Sequence, residues 1–185
     1  MPHIFRRHWS AAIVSTFFVF AVAVAAQFPN QNHEEMYEHH LTRVNDQAWV
    51  SGQPPMSELA KLKERGFKAI INLRLPSEHA LTAEKAEAER LGLRYFSIPV
   101  DYDKPREEQV TEYLRLADDP KNQPTFLHCT VAIRAGAFWM VRRVLREKWA
   151  LADAEAEARK IGANDRYVRF ARDYIAHHPN PPVER

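Results

Sequence analysis

Apolar and polar residues alternate along this chain in short blocks that switch between strand and helix periods. AWVSG (48–52) is a short strand candidate, and Ser57 to Arg65 predicts a helix that Gly66 closes. KAIINLRL (68–75) predicts a buried strand with Ala69, Ile70, Ile71 and Leu73 as its apolar content. SEHALTAEKAEAERLG (77–92) predicts a second helix stopped by Gly92, LRYFSIPV (93–100) a third strand, and PREEQVTEYLRLADD (105–119) a third helix. PTFLHC (124–129) reads as a fourth strand. In AIRAGAFWMVRRVLREKW (132–149), Ala137, Met140, Val141 and Val144 share one helical face at i, i+3, i+4 and i+7. LADAEAEARKIG and DRYVRFARDYIAHH are further helices, and the Pro-rich residues 179–185 are expected to fray. Strands alternating with helices predict a three-layer α/β domain, its mainly parallel central sheet flanked by helices. Such sheets bind ligands beyond the carboxyl ends of their strands. Cys129 lies at one of those ends.

The N-terminus follows a different pattern. MPHIFRRHWS is basic, AAIVSTFFVFAVAVAA is uncharged and apolar, and Ala23-Val24-Ala25 offers a cleavage site. Residues 1–25 therefore read as a signal peptide rather than a membrane anchor, the apolar run being short of the ~20 residues a spanning helix needs. Residues 26–45 are a polar segment, read as a tether or short surface helix, and 46–178 the folded domain. The expected location is outside the cytoplasm, in the periplasm, with no membrane association after signal removal. Signal removal takes Arg6 and Arg7 from 26 basic side chains and leaves all 24 acidic ones, so the mature chain is formally neutral. With no basic-aromatic interleaving either, a nucleic-acid partner is not expected. His33, His39 and His40 with Glu34, Glu35 and Glu38 match no recognised ligand spacing, so no metal is expected there.

The chain has one cysteine, which cannot pair within its own chain. A lone cysteine is either a buried small hydrophobe or a nucleophile. In HCTVAIR the cysteine ends a strand and a helix follows at once. Loop amides and the helix N-terminus then converge on one spot, making an anion-binding nest. The reactive form of a cysteine is its thiolate, which such a field favours. Arg134, five positions on, can bring its planar fork over the loop to hold two oxygens of a tetrahedral anion.

WVSGQP, GFKAIINLR, YFSIPVD and FLHC, in this order and at these separations, resemble the cysteine-dependent protein tyrosine and dual-specificity phosphatase superfamily. The likeness is to its small bacterial branch, also met as the beta-lactamase hydrolase-like family, and covers about residues 46–150. It implies the α/β phosphatase fold, a phosphocysteine intermediate, an anionic small-molecule or phosphoprotein substrate, and neither metal nor cofactor. Carried onto this chain, it makes Cys129 the nucleophile, Arg134 the phosphate-binding arginine and His128 a tuner of the thiolate. Thr130, Val131, Ala132, Ile133 and Ala135 would form the substrate-binding loop. The general acid would be Asp101 or Asp103, Asp101 preferred for its proximity to the strand end; both could instead be solvated loop carboxylates. Arg74 could steer an anionic substrate or form a surface salt bridge.

The loop departs from the superfamily pattern. It reads HC-x4-R rather than HC-x5-R, with Ala132 where a central glycine is usual and Ala135 in place of a hydroxyl residue after the arginine. A left-handed turn at Ala132 carries a steric cost, and Ala135 cannot donate a hydroxyl to the departing cysteine. Six residues from cysteine to arginine is also the loop length of rhodanese-type sulfurtransferases. Three readings follow: a phosphatase, a sulfurtransferase carrying a persulfide on Cys129, and a non-catalytic module that binds an anion or a partner. Phe138, Trp139, Trp149 and Phe170 are expected in the core rather than on a binding face, and Arg142, Arg143, Arg146 and Lys148 on an exposed helix face.

Overall fold

The computed structural model describes residues 42–78 and 81–179. The proposed signal peptide, the polar segment as far as residue 41 and the tail from residue 180 lie outside the described residues. The described chain runs β1 (Thr42–Asn45), β2 (Ala48–Ser51), α1 (Met56–Glu64), β3 (Ala69–Asn72), α2 (Leu81–Arg90), β4 (Arg94–Ser97), α3 (Glu107–Asp118), β5 (Thr125–His128), α4 (Ile133–Leu145), α5 (Leu151–Ile161) and α6 (Asp165–His177). A 3₁₀ turn over Pro120–Asn122 precedes β5. No helix among these residues is long and apolar enough to cross a membrane.

The sheet order is β1-β2-β5-β3-β4. β5 lies parallel between β2 and β3, placing His128 level with Ser51 on one side and Asn72 on the other. A strand buried on both faces reads as a continuous apolar run, and β5 behaves so. Phe126 packs with Leu59, Leu62 and Ile70 in the layer of α1 and α2, whereas Leu127 and Cys129 join the larger core of Phe138, Trp139 and Tyr167 on the other face. The period of two therefore sends His128 to the Phe126 face, where the two rings stack at 5.5 Å, and Cys129 to the opposite one.

β1 replaces part of the expected tether. It pairs antiparallel with β2 at the sheet edge, and its lone apolar residue, Val44, packs on the core. An edge strand this short shows no alternation to read. Phe138 and Trp139 are buried and Phe170 packs against that core, as expected, whereas Trp149 is exposed. Arg143 corrects the expected exposed basic face. It is buried, bonded to Glu157 through Nε at 2.6 Å and Nη2 at 2.7 Å, and lies over the rings of Trp139 and Trp149. Its long stem lets a helix position that looks exposed in sequence fold back into an ion-paired, aromatic setting.

Candidate active site

The site forms where the central strand stops. Cys129 follows β5, is buried, and donates its amide to Ser51 O at 3.3 Å. The Gln53 amide donates to Thr130 O at 2.9 Å, so the segment after β2 holds the loop from one side. Ala132 has φ 63°, in the left-handed region, and precedes α4 without a side-chain cap. The turn that glycine usually makes is thus made by a buried alanine, at a steric cost of about 1–2 kcal/mol. The first amides of α4 have no partners within the helix, the usual setting for an anion at a helix start.

Arg134 sits in the first turn of α4, almost wholly buried. Its Nη1 donates to Glu78 Oε1 at 2.6 Å and to Val100 O at 2.9 Å, and its Nη2 to Glu78 Oε2 at 2.6 Å and to Thr130 Oγ1 at 3.1 Å. Burial works against the guanidinium, but the Glu78 bonds outweigh it and, with Cys129 alongside, raise its pKa. Glu78 is the reciprocal case. Partial burial raises its carboxyl, yet hydrogen bonds from Arg134, Thr130 and the Leu75 amide bring it down to about 2. Its signal in the sequence is faint, one glutamate in LPSE between a strand and a helix.

The two candidate acids are placed differently. Asp101 is half-buried and its Oδ1 accepts from the Asp103 amide at 2.8 Å. Asp103 is exposed, with its carboxylate 2.8 Å from Arg166 Nη1. Tyr167 of α6 donates to Asp101 O at 3.3 Å and Tyr102 O at 3.2 Å, tying this loop to the core. Burial and the charge of Cys129 raise the Tyr167 hydroxyl, offset in part by Arg134. The hydroxyl therefore stays a donor.

Arg74 is not at the surface, so the surface salt bridge gives way to a buried setting. It is buried, hydrogen-bonded to Gln53 Oε1, and 3.9 Å from the buried Glu84. It ties the INLR and SGQP segments together beneath the loop. Glu84 could have been noticed in LTAEKAEAER, since it lies four residues before the buried Ala88 on the inward face of α2. Among the described residues no cluster of three or more His, Cys, Asp or Glu could hold a metal ion.

A mainly parallel α/β sheet whose central strand delivers a cysteine into a short loop, with an arginine in the next helical turn, defines a domain of the cysteine phosphatase superfamily. The model of the family described as "DSP-PTPase phosphatase fused to NAD+ kinase" matches residues 21–169, and the chain belongs to that family. A beta-lactamase hydrolase-like protein of Agrobacterium fabrum is 28% identical over 117 residues, 61% of this chain and 27% of that protein. The chain thus spans about a quarter of that relative's length. The crystal structure of a putative phosphatase (DUF442) from Shewanella putrefaciens is similar with TM-score 0.66 and 22% identity, over 80% of this chain and 97% of that one. P. aeruginosa TpbA, in complex with pTyr, is similar with TM-score 0.61 and 19% identity, over 77% and 85% of the two chains. Both structures bear on the fold alone.

Proposed function

We propose that the protein is an exported cysteine-dependent phosphatase that hydrolyses a phosphate monoester without metal or cofactor. The observation that carries the reading is the placement of Cys129 and Arg134, both buried, at the two ends of one short loop that turns through a left-handed Ala132. In this reading the Cys129 thiolate attacks phosphorus in line with the leaving oxygen. An S–P bond forms, the P–O bond breaks, and Asp101 gives its proton to the departing oxygen. Water then attacks the phosphocysteine. Its proton returns to Asp101, the S–P bond breaks, and phosphate leaves with the thiolate restored. Loop amides and Arg134 stabilise the charge on the equatorial oxygens in both steps. The preference for Asp101 over Asp103 draws support from the Arg166 pair, which holds Asp103 out in solvent.

Substrates would be anionic small molecules or phosphoproteins; the phosphotyrosine complex of TpbA supports that class. The test is phosphate release from p-nitrophenyl phosphate by the wild-type protein and by Cys129→Ser. Release that vanishes in the variant is expected. A wild type that releases no phosphate but carries cyanide-labile sulfur on Cys129 overturns the phosphatase reading in favour of the sulfurtransferase. A wild type with neither would be the binding module.

A further inference from the structure

Behind the nucleophile, on the opposite face of the sheet, a carboxylate and an imidazole are enclosed together. Glu84 and His128 are both completely buried. Glu84 Oε2 accepts from Asn72 Nδ2 at 3.0 Å and from the Tyr95 hydroxyl at 3.1 Å. Glu84 Oε1 and His128 Nε2 have no other hydrogen-bond partner and face each other at 2.9 Å. The second ring nitrogen of His128, Nδ1, lies 3.3 Å from the carbonyl oxygen of Cys129.

The protonation of the ring follows from its neighbours. A peptide carbonyl only accepts, and so does an ionised carboxylate. Glu84 Oε2 already accepts two hydrogen bonds, from Asn72 and Tyr95, and Arg74 Nη1 lies 3.9 Å from it, a setting that favours the ionised carboxylate. With an acceptor facing each nitrogen, the ring satisfies both by carrying two protons. We propose that Glu84 is a positioning residue that holds His128 as an imidazolium behind Cys129, and thereby supports the thiolate. The proposal rests on the reading of Cys129 as the nucleophile.

Two physical routes connect the pair to the sulfur. The cation belongs to the residue bonded to Cys129, while its counter-charge is one side chain further away, so the positive end of the pair is the nearer. The imidazolium also donates to the Cys129 carbonyl, which polarises that peptide group and strengthens its N–H, the Thr130 amide in the loop, as a donor. The other titratable or charged groups around Cys129 and His128 are Arg134 of α4, Glu78 and Arg74 of the loop after β3, Tyr95 of β4, Tyr167 of α6 and Asp101 of the loop after β4. Arg134 and Arg74 each lie beside a carboxylate, and the two tyrosines are held neutral by raised pKa values.

Because Cys129 is the only cysteine, its thiolate is read directly from ultraviolet absorbance against pH, with Cys129→Ser as the blank for tyrosinate. Glu84→Gln keeps acceptors for Asn72 and Tyr95 and offers His128 Nε2 an N–H, so the ring becomes neutral with its bonds retained. The expected result is an upward shift of the thiolate midpoint and a thiolate fraction near neutral pH lower by about tenfold, the equivalent of one pKa unit. In a His128→Gln background the same substitution is expected to shift the midpoint no further. A Glu84→Gln protein that melts as the wild type does and titrates like it overturns the proposal. Should that variant fail to fold, the ring nitrogen shifts of His128 in the wild type, assigned by their loss in His128→Gln, decide: an imidazolium pattern at neutral pH supports the proposal and a neutral-ring pattern overturns it. A wild type that has the thiolate but releases no phosphate sinks the phosphatase reading and leaves this one standing.

Discussion

Glu78 and Arg134 meet fork to fork, with both carboxylate oxygens 2.6 Å from the two terminal guanidinium nitrogens. The loop after β3 thereby fixes the arginine in the first turn of α4, and Thr130 of the loop after β5 joins the two through its hydroxyl. A bidentate pair sets direction as well as energy. Glu78 occupies the Nη1/Nη2 edge, and the same two nitrogens also donate to Val100 O and Thr130 Oγ1.

Replacing Glu78 by Gln is expected to lower kcat/KM by about 10–100-fold, since a misplaced oxyanion clamp costs on that order. The pH dependence gives a second check. The Glu78 carboxyl lies at about 2 in the folded protein against an ordinary 4.5. A depressed folded pKa contributes stability that is present above the unfolded value and lost as pH falls through the folded one. Thermal melts should therefore show the wild type losing stability between about pH 4.5 and 2 more steeply than Glu78→Gln.

Asp101→Asn and Asp103→Asn are expected to separate. The first should slow turnover by about 10²–10⁴-fold, most with a poor leaving group such as phenol and least with p-nitrophenol, because a general acid matters most where the leaving oxygen is basic. Asp103 pairs with Arg166 at the surface. Its loss should change stability by no more than about 1 kcal/mol and leave the leaving-group dependence unaltered. Parallel Brønsted plots for the wild type and Asp101→Asn would remove Asp101 from the role.

Ala132→Gly should stabilise the protein by up to about 1 kcal/mol, because relief of the strain at φ 63° exceeds the entropy that glycine adds to the unfolded chain. Chemical denaturation measures this directly. A loss of stability would mean that the Ala132 methyl, fully buried in the core, contributes more by packing than it costs in backbone strain.

Gly136→Ala tests how closely α4 lies on α5. A Cβ at Gly136 would sit 3.0 Å from Ala158 O and 3.2 Å from Ile161 Cγ2. Backbone cannot yield as a flexible side chain does, and overpacking of this kind costs about 1–3 kcal/mol. The melting temperature should fall while the thiolate titration of Cys129 stays in place.

The strands β2 to β5 and the six helices of the described residues were legible because each carries its own periodicity or stop signal. FLHC is apolar up to a polar pair, and Gly66 and Gly92 close their helices with φ of +87° and +70°. β1 was not legible, since an edge strand with one inward apolar residue has no alternation to detect. The nucleophile and its arginine were also legible, being five residues apart and joined by one loop. Glu78 and Glu84 belong to the same site from 51 and 45 residues before Cys129; nothing local distinguishes Glu78 from the exposed glutamates around it, and Glu84 carries only its i, i+4 spacing to Ala88.

By itself, the sequence determined the α/β alternation and the place of Cys129 at a strand end, because hydrophobic period and helix stops are local properties of the chain. It also determined the departures from the usual loop, its shortened length and its two alanines. Only the tertiary structure decided which charges are enclosed and with whom. Arg74 and Arg143 are buried against carboxylates, Arg134 is clamped by Glu78, and His128 faces Glu84 across the sheet from the cysteine. Burial and pairing arise when separate elements pack, and a buried charge is tolerated only where packing also delivers its partner.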